Sequence, residues 1–406
     1  MKYLPADILS KNTITTISAK AAILVANFLI VAVTTNLWGT SGRGEIALII
    51  TNIAIITLFS NITCGSTIAF HAAKENRDLL IVISLVGSLV LSLSGSLIFS
   101  LSTGFRYFAV LFIISLLSSL TGAVSMYWLG KKNIRFYNIF TLLNPVAVLF
   151  FLLVFYFIFN ITSVRACFYA YYAGLGSLFV AGLMTLKSKV PFRFSKINFY
   201  DVMKVIKYGS NNEFNYFIQF LNYRLSYFFI ARFLGLAPLG IFSVAVSCAE
   251  AVWIISKSMS ALHFSNVINA KNHDTSIVST QVFARQSFWV SLILVGMIIF
   301  IPRSLFEFVF GNGFGNIKTY LIYLIPGIIA IAVSNLHGHY FAGIGKLNVL
   351  RNKSLLGLAA TFIFLLLLTE KYHLTGVCIS LNVSYLLSSF YLFYRFRNEK
   401  EKNKMG

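Results

Sequence analysis

Asn138–Asn160 reads NIFTLLNPVAVLFFLLVFYFIFN, a stretch without one charged residue. About 20 apolar helical residues cross a hydrocarbon core about 30 Å thick, so this segment alone is long enough to span a bilayer. Runs of the same kind fill the 406 residues, at roughly 14–37, 44–70, 79–101, 107–129, 138–160 and 166–187, then roughly 209–233, 239–265, 283–302, 317–341, 349–369 and 374–396. The expected fold is therefore all-α: a polytopic membrane protein of about twelve transmembrane helices. The composition agrees. The chain is 58% hydrophobic and 11% charged, against about 45–50% and 25% for a soluble domain. Forty Phe and twenty Tyr with six Pro exclude a soluble enzyme, a disordered chain and a collagen.

Thirty-three Lys and Arg face twelve Asp and Glu, a formal charge of +21. The cations sit in short loops between apolar runs, which points to the positive-inside rule and not to nucleic acid. With the N-terminus inside, 22 Lys and Arg fall on the inner side and 7 on the outer. Both termini are thus expected in the cytoplasm, with the basic tail Arg395–Lys404 on the anionic inner leaflet. Cys64, Cys167, Cys248 and Cys378 lie in apolar runs without metal-site spacing and read as small buried hydrophobes.

The longest gap divides six helices from six. The expected domains are residues 1–187, a basic cytoplasmic linker at 188–208 (Ser188–Gly209 at its widest), and 209–406. Leu37-Trp38-Gly39-Thr40-Ser41-Gly42-Arg43-Gly44 and Phe233-Leu234-Gly235-Leu236-Ala237-Pro238-Leu239-Gly240 place the same G-x-x-x-x-G hairpin 196 residues apart. Gly130-Lys131-Lys132-Asn133 and Gly345-Lys346-Leu347-Asn348 repeat G-K-x-N at an offset of 215. These matches predict a duplication: two six-helix bundles related by a parallel pseudo-two-fold along the membrane normal.

Two stretches carry a family likeness. Leu37–Leu48, LWGTSGRGEIAL, resembles the turn after the first helix of Wzx-type O-antigen and polysaccharide flippases. Asn222–Ala245, NYRLSYFFIARFLGLAPLGIFSVA, resembles the seventh-helix stretch of the same family, which shares a superfamily with multidrug (MATE) exporters. Ser226 departs from the pattern, standing where many relatives carry an acid. The resemblance implies a flippase that moves an undecaprenyl-pyrophosphate-linked oligosaccharide from the cytoplasmic to the periplasmic leaflet, by ion-coupled alternating access. Its implied partners are that glycan lipid, the membrane lipids, and a polysaccharide polymerase with chain-length machinery.

Six charged residues within the expected spans call for an explanation: Lys20, Glu213, Arg224, Glu250, Lys257 and Arg285. Such groups are costly in lipid unless they face a wet cavity or a partner. Lys20, Asn27 and Thr34 recur every seven residues and share a helix face, as do Ser243, Glu250 and Lys257. Glu213 and Arg224, eleven apart, also share a face, with Gln219 and Asn222 on a neighbouring one. Two readings stay open: interhelical pairs, such as Glu250 with Lys257 or Arg224, or a cationic cavity for pyrophosphate and sugars. On the second, Arg224, Lys20, Lys257, Asn27, Gln219 and Asn222 bind substrate, and Glu250 and Glu213 couple ions. No cofactor, metal or enzymatic activity is expected, since HExxH, Walker A, GxSxG and DxD motifs are absent from the sequence. The alternatives are a multidrug exporter of the same fold, disfavoured because the first helix carries Lys20 and no acid, and a membrane polysaccharide polymerase, disfavoured because the longest outer loop, about Arg303–Asn316, is short and holds one acid, Glu307.

Overall fold

The third helix shows how this chain folds. It carries Ser84, Ser88, Ser92, Ser96 and Ser100, one per turn, and every one is buried, while Leu85, Val86, Leu89, Val90, Leu93 and Ile98 point outward. Hydroxyls inside and aliphatics outside reverse the order of a water-soluble helix. That pattern suits a solvent as apolar as the side chains, where helices associate through small residues and close packing. In a computed structural model, which describes residues 11–72, 77–189, 199–268, 270 and 273–405, twelve long helices follow one another and the chain is a multi-pass membrane protein.

We number them α1 (11–38), α2 (40–64), α3 (Arg77–Thr103), α4 (Phe108–Gly130), α5 (Ile134–Leu153), α6 (Arg165–Lys189), α7 (Phe199–Phe233), α8 (Leu236–Ile268), α9 (His273–Phe300), α10 (Ile317–Gly343), α11 (347–372) and α12 (374–405). Gly39 (φ 60°, ψ −162°) breaks α1 from α2, and His373 (φ 49°, ψ −136°) breaks α11 from α12. Short helices at Ser66–His71 and Arg303–Phe310 lie beside α2 and α10 in sequence.

Helix α3 runs antiparallel to α2 along its serine stripe. The Ser84 hydroxyl donates to the Thr63 carbonyl at 3.2 Å, and Ser60 and Ser92 meet at 3.4 Å. A Cβ at Gly87 would strike Thr63, and one at Gly95 would crowd Ile56. In the C-terminal helices a comparable seam joins α8 to α9 and α10. Ser287 donates to Ser256 at 3.1 Å, Ser256 to the Ala332 carbonyl at 2.5 Å, and the Trp253 indole to the Ile328 carbonyl at 3.0 Å. Pro326 leaves α10 short of one N–H donor. One residue on, the Asn382 amide of α12 takes the place of a helical bond, accepting from Gly327 N–H and donating to the Tyr323 carbonyl. The four cysteines are free, and all but the half-buried Cys248 are buried.

The chain divides into two compact units. The N-terminal unit holds the chain up to Leu37 and Ile49–Phe217; the C-terminal unit holds Trp38–Leu48 and Ile218–Gly406. The division differs from a simple cut at 188–208. Residues 190–198 of that linker lie outside the described residues, and from Phe199 the chain is already helical. Helix α7, with 35 residues, is about 50 Å long, and its first half belongs to the N-terminal unit.

The hairpin Trp38–Leu48 meets its sequence counterpart inside the C-terminal unit. A Cβ on Gly44 would fall on the Leu236 carbonyl oxygen, and a Cβ on Gly240 would fall on that of Thr40. At the 196-residue offset Gly44 corresponds to Gly240 and Thr40 to Leu236, so the two contacts are reciprocal, as at a two-fold interface. Arg43 adds a bond from Nε to the Ser243 hydroxyl at 3.2 Å. The other inter-helix turns repeat too. Left-handed residues occur at Gly39 and Gly235, Gly104 and Gly311, Lys132 and Gly345, and Asn160 and His373. Their offsets are 196, 207, 213 and 213. The G-K-x-N segments therefore match by letters at 215 but by backbone at 213: Lys132 occupies the conformation that Gly345 occupies.

Candidate functional site

Helices α7, α8 and α12 bring Arg224, Glu250 and Lys257 of the C-terminal unit together with a group of aromatic rings. Arg224 lies deep in α7 and its guanidinium meets the Glu250 carboxylate of α8 at 2.9 Å. It also donates to the Tyr227 hydroxyl at 3.1 Å, with its charge 5.0 Å from that ring's centre. Both members of the pair keep part of their side chains open, 22% for Arg224 and 33% for Glu250. Beside them Tyr223, Trp253 and Tyr385 form an aromatic trio with centroids 5.7–6.0 Å apart. Gln219 reaches the Tyr223 hydroxyl at 3.5 Å. Lys257, one turn beyond Trp253, is exposed, its ammonium 6.0 Å from the indole centroid. An ion pair ringed by hydroxyls and aromatic faces can release either charge to a ligand, and its rings offer stacking surfaces to sugars or apolar groups.

The N-terminal unit contains a cavity of about 420 Å³ between α1, α4, α5 and α6. Asn27, Ser118, Thr121, Ser125, Thr141, Asn144 and Tyr171 supply its polar lining, and among the described residues none of those lining it is charged. Pro145 also lines it. Lacking an N–H, Pro145 leaves the Thr141 carbonyl without its helical donor. The cavity thus offers neutral donors and acceptors only. Among the described residues no group of three His, Cys, Asp or Glu could hold a metal ion.

No family model and no curated protein sequence matches the chain. Solved structures match it over nearly its whole length. An inward-facing multidrug resistance MATE family transporter of the MOP superfamily aligns with TM-score 0.73 and 15% identity, over 97% of this chain and 99% of that one. An outward-facing one gives 0.69 and 14%, over 98% of each. A MOP superfamily transporter from Pyrococcus furiosus, described as having a binding pocket of reverse polarity, gives 0.65 and 15%, over 95% and 93%. The chain has the MATE fold.

Within this MATE fold the residues singled out from the sequence part company. Arg224, Glu250, Gln219 and Lys257 gather in one cluster, and of the two pairings left open for Glu250 the structure forms the one with Arg224. Lys20 and Asn27 belong to the N-terminal unit, where both are exposed on α1 and Asn27 lines the neutral cavity. Glu213 also belongs to that unit: buried, it accepts from the Ser66 hydroxyl at 3.2 Å beside the break at Gly65. It shares no partner with Arg224. Asn222, expected to face substrate, is buried and its carbonyl oxygen accepts from Thr361 at 2.8 Å and Ser384 at 3.1 Å. It fastens α7 to α11 and α12 instead. Ser226, at the position where an acid is common in the family it resembles, is fully buried. Sequence periodicity missed Tyr227, Trp253, Tyr385 and the whole α4–α5 lining, because aromatic and hydroxyl residues are spread over every face of these helices.

Proposed function

We propose that the protein flips a lipid-linked oligosaccharide, of the undecaprenyl-pyrophosphate class, across the bacterial inner membrane, with both termini cytoplasmic. The observation that carries this reading is the neutral cavity: its amide, hydroxyl and phenol groups suit sugar hydroxyls, and it holds no carboxylate for a drug cation. The Arg224–Glu250 pair supplies the complementary chemistry. The Arg224 guanidinium can exchange its carboxylate partner for phosphate oxygens, which it binds bidentately, and Glu250 is then the coupling carboxylate. Exposed Lys257 adds a second cation. The same reading supplies the polymerase and chain-length machinery as partners acting on the flipped product.

The test uses the full chain in proteoliposomes loaded with a fluorescent undecaprenyl-pyrophosphate oligosaccharide, with flipping read by a membrane-impermeant quencher. Wild type is expected to flip it, faster with an inward proton gradient, and Arg224→Ala to lose at least roughly tenfold in rate, the equivalent of about 1.4 kcal/mol. Transport of ethidium by the same vesicles without any lipid flipping would replace this reading with drug export.

A further inference from the structure

The C-terminal unit carries a second cavity, unrelated to the ion pair. Helices α9 and α12 leave between them a groove of about 570 Å³, floored by Val333 and His337 of α10. The two walls run antiparallel, so their lining residues face one another in levels. Along the groove the order Gln281, Arg285, Phe288 on α9 runs against the order Phe393, Arg397, Lys400 on α12. Cations therefore occupy one end, next to the C-terminal tail, and aromatic rings the other. The apolar part of α12 ends where the cations begin, at Arg395–Arg397. That is the level at which a bilayer changes from acyl chain to headgroup.

The charges are available. Arg285 is exposed, and among the described residues no carboxylate lies within ion-pair distance of it. Arg397 pairs with Glu401 at 2.9 Å, but with 70% and 55% of the side chains exposed the pair is weak and open to competition. Three cations against one carboxylate leave the groove end with two surplus positive charges. The floor admits nothing ionic: the His337 ring packs edge-on against Phe396 at 4.9 Å, and its Nδ1 lies 3.2 Å from the Val333 carbonyl. On the outer side Val282 and Trp289 of α9 and Tyr394 of α12 are exposed, which continues the apolar wall.

We propose that this groove holds an anionic phospholipid from the leaflet that carries the chain termini. Its phosphodiester lies between Arg285 and Arg397, with Lys400 alongside, and one acyl chain lies along Phe288 and Phe393. A soluble anion would use the cations but leave the aromatic wall bare; a zwitterionic lipid would fill the wall but leave the surplus charge uncompensated. Only a lipid with a net negative headgroup matches both levels.

Native mass spectrometry of the full chain, released from micelles holding equal phosphatidylglycerol and phosphatidylcholine, tests this directly. Wild type should retain one phosphatidylglycerol in clear preference, by roughly fivefold for each cation engaged. Arg285→Gln with Arg397→Gln should abolish the preference, Arg285→Lys with Arg397→Lys should keep most of it, and Arg351→Gln with Arg395→Gln, which removes two exposed cations outside the groove, should leave it unchanged. A wild-type protein that retains both lipids equally overturns the proposal without recourse to any variant. Equal loss in the groove and control pairs overturns it as well, since the attraction would then be a diffuse property of the basic surface. Added inorganic phosphate that strips the lipid adduct and replaces it would show a free-anion site and would equally defeat it.

Discussion

The polar interiors of the two units differ in kind. In the N-terminal unit a cavity between α1, α4, α5 and α6 is lined by amides and hydroxyls without a charge. In the C-terminal unit α7 and α8 present an arginine, a glutamate and a lysine among aromatic rings. Yet the turns that join the helices repeat from one half of the chain to the other, down to left-handed residues at Lys132 and Gly345 and at Asn160 and His373. Backbone requirements at a turn are set by sterics that both copies must satisfy. Lining side chains carry no such constraint, so duplicated halves can keep their connections while their chemistry diverges.

The strongest way to break that comparison is at its shared feature. Gly44→Val and Gly240→Val should each cost at least about 3 kcal/mol, because the new side chain meets a carbonyl with no room to move. Thermal unfolding in detergent measures this; one variant melting like wild type would show that the hairpin contact is not reciprocal. The charged interior comes next. Arg224→Ala should destabilise by about 1–2 kcal/mol, less than for a fully buried pair because both partners keep part of their side chains exposed. Adding Glu250→Gln should restore part of that loss, as the carboxylate no longer needs a partner.

Asn222→Ala should cost about 1 kcal/mol by leaving the Thr361 hydroxyl without its acceptor, while Ser384 keeps the Gly357 carbonyl. Its flipping rate per folded molecule should stay near wild type, in contrast to Arg224→Ala. The neutral interior should behave in the opposite manner: Asn27→Ala with Asn144→Ala should shift unfolding within about 0.5 kcal/mol while lowering glycan transport several-fold in the quencher assay. A small effect of opposite sign is expected at the turn between α11 and α12. His373→Gly should stabilise by less than about 1 kcal/mol, since glycine takes φ 49° without strain but loses more freedom on folding. A melting temperature lower than wild type would mean that the His373 side chain, not its backbone, holds that turn.

Apolar run length and the distribution of Lys and Arg made the twelve helices legible before any coordinates, because a bilayer forces each span to be helical, long and nearly uncharged. The paired hairpins at Gly39–Gly44 and Gly235–Gly240 were legible for a related reason: a left-handed turn and a close backbone approach both demand glycine. Periodicity also placed the charges on helix faces, but a face does not name its neighbour. Whether Glu250 pairs with Arg224 or Lys257 depends on how α7 is rotated against α8, and that is set by packing along the whole of both helices. The same holds for Asn222 and Glu213, which look like cavity residues in the sequence and lie instead against Thr361, Ser384 and Ser66. Helix formation in a membrane is a local matter, fixed by the chain's own hydrogen bonds, whereas the partner of each polar side chain is a sum over distant contacts, and only the tertiary structure carries out that sum.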